Sequence, residues 1–363
     1  MQTFISQIET THIFIWTAVM FIASKDVMRT QRQEIVLYET KWRYRPFFAV
    51  IIFLPIILMA VFGRERSDIY QYMSTFRLLP SGIRQGWNYF LLSSNKGFTL
   101  FGLLIKQFFG SSETAYRMAI ALVHSIPIIF VLRKYSENYL FSIYVFIAST
   151  MHLAWLMNGL RQFMAVTMIF ATTPWIIKKK YIPTVLVILL AATFHRTALV
   201  MIPVVFIVQG KVWNWKTILF SFIMVGATYF FAQNAGAFDT VADVAGYSLN
   251  VVREGGDDGT NPIRVLVNAI PMVLAFISRR SLRIENDPVI NICTNLSVIT
   301  TGLYLVSMVT SGILMGRMPI YSDLYNLILL PHVIKTCFKG KFQTIVTWGA
   351  VGLYLVYYIF SVR

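Results

Sequence analysis

The chain has 363 residues, of which 56% are hydrophobic and 13% are charged, and its mean hydropathy is +0.63. These values exclude a soluble globular protein and predict a polytopic membrane protein. The formal net charge of +16 does not indicate nucleic-acid binding, because the basic residues are scattered between apolar runs and form no continuous soluble face.

The apolar runs predict an all-α, GT-C-like protein with about ten transmembrane helices in a single membrane domain, residues 1–363. Residues 4–23 form the first predicted span, which stays in the protein because no signal-peptide cleavage pattern follows it. Residues 25–45 hold six basic residues and therefore predict a cytoplasmic loop. Residues 46–62 then return to the outer side.

The next part of the chain predicts an external region followed by three spans. The polar and aromatic stretch 63–96 predicts a first external loop. Residues 97–109 are apolar but too short to cross a bilayer, which predicts a re-entrant or interfacial helix. The predicted spans that follow are residues 113–132, 139–157 and 163–177.

Residues 182–208 decide the predicted topology, because they are apolar except for His195, Arg196 and Thr197 at their middle. As a single span, this run would move eight later basic residues to the outer face; as a hairpin, it keeps them inside. Arms of about 12 residues reach about 18 Å, short of the ~30 Å core. The charges therefore favour a hairpin with His195 and Arg196 inside the membrane, towards its outer side.

The rest of the chain predicts five more spans, one external loop at residues 234–262, and no disulfide between Cys293 and Cys337. Acidic residues of that loop, such as Asp239 and Asp257, are interpreted as solvated rather than metal-binding. The predicted spans are residues 217–233, 263–277, 289–314, 319–334 and 344–360.

Arginine is distributed unevenly across the predicted membrane. Segments assigned to the cytoplasm hold 11 Lys and 8 Arg, whereas segments at or near the outer face hold 2 Lys and 11 Arg. The positive-inside rule explains the first group but not the second. Because the planar guanidinium fork suits phosphate, the outer arginines predict a cavity for an anionic substrate, and a lipid-linked diphosphate fits best.

The candidate site residues follow from this prediction. The predicted diphosphate ligands are Arg161 and Arg317, with Arg196 and Arg264 as second candidates. His195 is predicted either to act as general base or to hold a phosphate oxygen, and Asp68 is the competing base. No metal ligand and no cofactor are predicted. The further substrate-binding candidates are Asn158, Gln162, Arg64, Arg66, Tyr72 and Tyr321. An alternative for an arginine at a helix end, notably for Arg64, Arg117 and Arg253, is a snorkelling anchor.

Several short motifs resemble the EpsG-like family of Wzy-type polysaccharide polymerases. Asn158-Gly-Leu-Arg161-Gln162-Phe-Met-Ala165 is similar to the family's N-x-x-R-Q-x-x-A motif, and Phe194-His195-Arg-Thr-Ala198-Leu199 to its F-H-x-[ST]-A-L run. Weaker matches lie at Asp68 with Tyr72, at Lys96-Gly97-Phe98 and at Arg317 with Tyr321. Lys96 departs from the family by replacing an acidic residue, and the usual Gly-Thr before Asp68 is missing.

The resemblance implies a glycosyltransferase of the bacterial inner membrane that polymerises oligosaccharide units carried on undecaprenyl diphosphate at the outer face. It implies an inverting transfer that needs no metal or nucleotide sugar. The partners it implies are the lipid-linked donor and acceptor, membrane lipids, a chain-length regulator and a flippase, and no nucleic acid.

Three alternatives remain open at the level of the sequence. One is a metal-dependent lipid-phosphate-sugar glycosyltransferase with Glu65 and Asp68 as ligands. The second is a ligase that transfers finished polysaccharide to another acceptor, and the third is a flippase or exporter of lipid-linked sugars.

Overall fold

A computed structural model describes residues 30–37, 39–63, 67–234, 236–238 and 259–362, together with the single residues 15 and 240. Three predicted features therefore lie outside the described residues: the first span at 4–23, the arginines Arg64 and Arg66, and most of the loop at 234–262. The chain divides into two compact units, one formed by Met1–Leu199 with Thr344–Arg363 and the other by Val200–Gln343.

The helices of the described residues are numbered here in chain order. They are α1 Pro46–Phe62, α2 Ser67–Leu78, α3 Ile83–Leu92, α4 Lys96–Phe109, α5 Glu113–Tyr135, α6 Tyr139–Ala148, α7 Met151–Met157, α8 Leu160–Ala171, α9 Thr173–Ile177, α10 Tyr181–Phe194, α11 Met201–Ile207, α12 Trp215–Gln233, α13 Pro262–Ile277, α14 Arg279–Glu285, α15 Pro288–Met308, α16 Ile320–Asp323, α17 Asn326–Cys337 and α18 Lys341–Val362. Short 3-10 helices lie at Arg196–Val200 and Met315–Arg317.

The first unit begins with a feature that the all-helical prediction missed. Strands β1 (Gln31–Val36) and β2 (Glu39–Tyr44) pair antiparallel, with Gln31 opposite Tyr44. The hairpin is anchored to the end of α5, because Arg133 donates hydrogen bonds to the Glu34 carboxylate and the Tyr44 carbonyl. Period-two alternation of charged residues in this basic segment is typical of strands, so the all-helical prediction missed a hairpin within the predicted cytoplasmic loop.

The predicted external loop at 63–96 is also more ordered than expected, because it forms α2 and α3. The buried side chains Ile69, Met73 and Phe76 recur at helical spacing along one face of α2. Asp68 in the first turn and Arg77 in the last turn suit the helix dipole. This apolar face packs against the rest of the unit and thereby stabilises α2. The polar composition of the segment did not indicate a stable helix.

Helix α4 confirms that residues 97–109 are helical, and its one interior lysine has a structural role. Lys106 is buried, and its ammonium group donates to the carbonyls of Phe76, Arg77 and Leu79. Those carbonyls lie at the C-terminal end of α2, where helix carbonyls lack intrahelical donors. Lys106 thus caps α2 from a neighbouring helix.

The structure confirms a mainly α-helical membrane protein, with four helices long and apolar enough to cross a bilayer among the described residues: α5, α12, α15 and α18. Two bent pairs raise the number to six if each pair is one span; α6 with α7 bends by 73° and α13 with α14 by 69°. Thr150, in the left-handed region at φ 60°, lies at the first of these bends. The ten-span GT-C-like arrangement stays a prediction.

The predicted interruption of residues 182–208 is present at His195. Helix α10 ends at Phe194, His195 is extended with φ −151° and ψ 116°, and the chain resumes as a 3-10 helix at Arg196. The depth of His195 in the membrane and the return of the chain to the inner face stay predictions.

The second unit is organised around α15, because 94% of the apolar, membrane-length stretch of this helix is buried. The Asn295 side chain on α15 accepts a hydrogen bond from the backbone N–H of Trp213 and donates to the carbonyls of Val208 and Lys211. These bonds fix the loop before α12. Gly302 lets α12 approach closely, because a Cβ there would lie 2.9 Å from Met224. Cys293 and Cys337 are both free thiols.

Candidate functional site

The break between α7 and α8 creates the position of Arg161. Helix α7 ends at Met157, Asn158 and Gly159 separate the helices, and α8 begins at Leu160. A Cβ at position 159 would lie 2.1 Å from the Trp155 ring, so the close packing of this ring requires glycine. Arg161 and Gln162 therefore lie in the first turn of a helix that starts abruptly.

Arg161 is half-buried and contacts Tyr72 on α2. Its Nε lies 3.4 Å from the Tyr72 hydroxyl oxygen, and its guanidinium carbon lies 5.7 Å from the centroid of the Tyr72 ring. Within the described part of the chain, Arg161 makes no other hydrogen bond and no ion pair. The structure thus brings together two predicted site residues, and it leaves the two terminal nitrogens of the guanidinium group available for an anion.

An aromatic cluster fixes Tyr72 in place. The Tyr72 ring meets Phe98 on α4 edge-on at 5.5 Å, and Phe76 stacks on Tyr116 of α5 with ring centroids 4.1 Å apart. Phe76 and Tyr116 are almost fully buried, so they join α2 to α5 as packing residues. Two nearby aromatic residues, Tyr70 on α2 and Trp87 on α3, are each 58% exposed and keep accessible rings.

Helix α4 connects this cluster to the chain break at His195. A Cβ at Gly97 would lie 2.1 Å from the Thr193 hydroxyl oxygen and 2.7 Å from the Phe194 ring, so α4 and the end of α10 are in close contact there. Phe98, the next residue, contacts Tyr72. The run Lys96–Phe98 therefore lies between the Arg161–Tyr72 pair and the residues that precede His195.

The remaining predicted residues of the first unit lie nearby in sequence or on the same helices. His195 is half-buried, and its Nδ1 lies 2.6 Å from the Thr197 hydroxyl oxygen. Asp68 is half-buried one helical turn before Tyr72, and Gln162 is buried beside Arg161. Asn158 is half-buried, whereas Arg196 is exposed.

The predicted residues of the second unit are held differently. Arg317 ends a 3-10 helix and Arg264 lies in the first turn of α13, and both are exposed. Tyr321 is only 1% exposed, so it packs inside the unit. Asp323 is fully buried and accepts a hydrogen bond of 2.8 Å from Asn326.

Comparison with known proteins gives the family. A sequence model of the EpsG family matches residues 47–363, which is most of the chain. The chain belongs to the EpsG family. None of the curated proteins and none of the solved structures gives a significant match. Membership identifies a membrane protein of the polysaccharide-polymerase type, associated with glycosyltransferase-like activity.

Several residues of the family motifs in this EpsG-family chain meet local structural needs. Gly159 and Gly97 are required by close packing, and Arg161 and Tyr72 contact each other. Among the described residues, no group of three or more His, Cys, Asp or Glu is arranged to hold a metal ion. Glu65, a ligand in the metal-dependent alternative, lies outside the described residues, so that alternative remains untested.

One half-buried and one buried residue of this EpsG-family chain were undecided or missed from the sequence. Arg117, interpreted equally as an anchor or a site residue, donates to the carbonyls of Ala60 and Gly63 and thus caps α1. His124 is fully buried on α5 and lies 3.2 Å from the Leu160 carbonyl oxygen through Nε2. No spacing in the sequence connects His124 with a residue 36 positions later.

Proposed function

We propose that the chain is a metal-independent polymerase that joins oligosaccharide units carried on undecaprenyl diphosphate, at the outer face of the bacterial inner membrane. The ten-span GT-C-like arrangement is part of this proposal. The observation that carries it is the half-buried Arg161, held by Tyr72 with two guanidinium nitrogens left over. Family membership supports a glycosyltransferase-like activity in general terms. Arg161 supports the more specific proposal that the group bound is a diphosphate.

The proposed reaction breaks the bond between the anomeric carbon of the growing glycan and its diphosphate oxygen. A hydroxyl of the incoming lipid-linked unit attacks from the opposite side, which inverts the anomeric centre, and its proton passes to a base. Negative charge grows on the leaving diphosphate, and Arg161 stabilises it with charge-assisted hydrogen bonds worth about 1.5–3 kcal/mol each. Because arginine remains charged at all physiological pH values, it performs this task without a metal.

His195 and Asp68 are the two candidates for the base. The contact with Thr197 orients the His195 ring, and an ordinary histidine pKa lies near the working pH. Asp68 lies on the same face of α2 as Tyr72, one turn away. A comparison of His195→Gln with Asp68→Asn decides between them, because only loss of the base removes the acidic limb of the pH–rate profile, where the base is protonated.

The other predicted residues have supporting roles in the proposal. Arg196, Arg264 and Arg317 are exposed, and an exposed guanidinium gains less from an anion than a half-buried one. They are proposed as second ligands of the donor diphosphate or as ligands of the acceptor's. Asn158, Gln162, Arg64 and Arg66 are also proposed to bind substrate.

The test is polymer formation by the purified protein in liposomes that contain undecaprenyl-diphosphate-linked repeat units and no other substrate. We expect a ladder of products on a gel, unchanged by EDTA, and only single units from the Arg161→Ala variant. Arg77→Ala is the matched control, because Arg77 is an arginine of the same unit that is paired with Glu113 at 2.6 Å.

Three outcomes would contradict the proposal. A full ladder from Arg161→Ala would remove the arginine from the reaction, and loss of the ladder in EDTA would favour a metal. Transport of labelled lipid-linked units between leaflets, without glycan transfer, would favour a flippase.

A further inference from the structure

A small hollow lies directly behind the first turn of α8. Its volume of about 10 Å³ is roughly enough for one water molecule, and Arg117 and His124 are its two basic lining residues. Its walls also include Met73, the neighbour of Tyr72, and Leu160, the neighbour of Arg161. The Arg117 guanidinium donates to carbonyls at the end of α1, which gives it a structural role. The role of His124 is the remaining question.

His124 holds the backbone immediately before Arg161. Its Nε2 lies 3.2 Å from the carbonyl oxygen of Leu160, and this carbonyl belongs to the peptide group that joins Leu160 to Arg161. A carbonyl oxygen only accepts, so Nε2 carries the proton and donates it. Because the peptide group is planar, fixing this oxygen fixes the orientation of the whole unit from Leu160 to the Cα of Arg161.

A second contact of His124 lies on the same turn. The imidazole meets the Phe163 ring edge-on, with centroids 5.0 Å apart and an interplanar angle of 77°. The His124 side chain is fully buried, and its Nδ1 has no hydrogen-bond partner among the described residues. His124 therefore touches α8 before and after Arg161, and all of its polar bonding is directed at that turn.

We propose that His124 is the positioning residue of Arg161: its Nε2–H bond to Leu160 sets the angle at which Arg161 leaves α8 and meets Tyr72. This inference rests on the proposed function of Arg161 as a diphosphate ligand. Displacement of a binding group by about 1 Å lowers a reaction rate by up to about a hundredfold, so a small rotation of this turn is sufficient to reduce activity.

Two amide substitutions distinguish Nε2 of His124, which donates to Leu160, from Nδ1, which has no role in this proposal. The longer side chain of His124→Gln places an amide N–H near the position of Nε2, whereas the shorter one of His124→Asn mimics Nδ1 and does not reach Leu160. We expect His124→Gln to keep the polymerisation rate within about threefold of wild type and His124→Asn to lose about tenfold or more. The converse result would show that Nδ1 is the important atom and would overturn the proposal.

A matched control and a double-mutant cycle distinguish positioning from general packing. Thr167→Val removes a hydroxyl group that lies 3.3 Å from the Val123 carbonyl, between the same two helices, and 3.0 Å from the Phe163 carbonyl of its own helix. This position is almost two turns beyond Arg161. We expect Thr167→Val to be nearly neutral for the rate. His124→Asn should add little to the loss already caused by Arg161→Ala. Multiplicative losses in that cycle, or equal losses from His124→Asn and Thr167→Val, would overturn the positioning role.

One readout does not depend on catalysis. In a chain with Cys293 and Cys337 replaced by serine, we introduce Tyr72→Cys and Arg161→Cys and measure their bridging by a short bifunctional thiol reagent. His124→Asn should lower the bridging yield, and His124→Gln and Thr167→Val should not. If the wild type makes no polymer, the proposed function fails, and this yield still decides whether His124 positions the turn. An unchanged yield in all three variants would overturn the inference.

Discussion

Arg133 and Arg161 both lie in the first unit, and their guanidinium groups are held in opposite ways. Arg133 is almost fully buried and donates to the Glu34 carboxylate and the Tyr44 carbonyl. Arg161 is half-buried and donates one long hydrogen bond of 3.4 Å to the Tyr72 hydroxyl. The first arginine joins a hairpin to a helix, whereas the second is fixed in direction and retains donors for a ligand.

Arg117 and Arg43 extend the comparison. Arg117 donates to the carbonyls of Ala60 and Gly63, and Arg43 donates to those of Trp42 and Lys134. In each case, backbone carbonyls have taken the donors that an anion would need. The number of donors left after packing, rather than the burial of an arginine alone, therefore separates structural from ligand-binding arginines in this unit.

The largest expected effect is on the activity of the Arg161→Ala variant. We expect the polymerisation rate to fall by about a hundredfold to a thousandfold, the range for loss of one preorganised donor at a developing charge. The thermal unfolding midpoint in detergent should change little, because the side chain has one weak bond to lose. Arg161→Lys should recover only part of the rate, since lysine keeps the charge without the fork. A matching drop in the unfolding midpoint would place Arg161 with the structural arginines.

The reverse result is expected for Arg133→Met, which keeps much of the side-chain volume. It removes the donor to the Tyr44 carbonyl and the buried partner of the Glu34 carboxylate, which keeps only its hydrogen bond from Arg32. We expect a loss of about 3 kcal/mol in the free energy of unfolding. The rate of the fraction that remains folded should equal the wild-type rate. A stable Arg133→Met protein with a reduced rate would break the distinction between the two arginines.

The sequence predicted the elements that are marked by a long apolar run or by an interruption in one. It did not predict the elements that depend on tertiary contacts. The apolar runs predicted membrane helices, and His195 predicted the break after α10, because polar residues in the middle of an apolar run are costly in a membrane. The β-hairpin and helix α2 were missed, since Arg133 and the aromatic cluster stabilise them from a distance.

The candidate site shows the same division. Arg161 and Tyr72 were chosen separately from the sequence, and the contact between them became evident only in the structure. His124 carries no sequence signal, because its partner is a backbone carbonyl, which every residue possesses. Lys96, which departs from the family pattern, donates a hydrogen bond of 3.0 Å to the Leu91 carbonyl and thus joins α3 to α4.

A smaller effect is expected from Gly97→Ala, which tests the connection between the Arg161–Tyr72 pair and the end of α10. The new methyl group would lie 2.1 Å from the Thr193 hydroxyl oxygen, so α4 must shift. We expect a loss of about 2 kcal/mol in the free energy of unfolding, together with a reduced rate. Gly226→Ala on α12 is the control, because nothing lies within 4 Å of its Cβ. That variant should be neutral or slightly stabilised, and a loss there equal to that of Gly97→Ala would exclude the close contact as the cause.

The smallest effect is the pH dependence of the hairpin that Arg133 holds. Burial raises the pKa of Glu34, but hydrogen bonds from Arg133 and Arg32 outweigh it, and the pKa lies below its ordinary value. A carboxyl group with a lowered pKa contributes stability above its unfolded pKa of about 4.3 and loses it as the pH falls through the folded value. Because the side chain is 22% exposed, we expect Glu34→Gln to cost about 1 kcal/mol at pH 7, with the difference from wild type shrinking as the pH falls below that unfolded pKa. The measurement is the unfolding midpoint of both proteins from pH 7 to pH 3, with Glu39→Gln as the control, since Glu39 pairs with Lys41 at 3.1 Å while 70% exposed.

A constant difference between wild type and Glu34→Gln across this range would mean that the carboxylate charge contributes nothing and that Arg133 acts through the Tyr44 carbonyl alone.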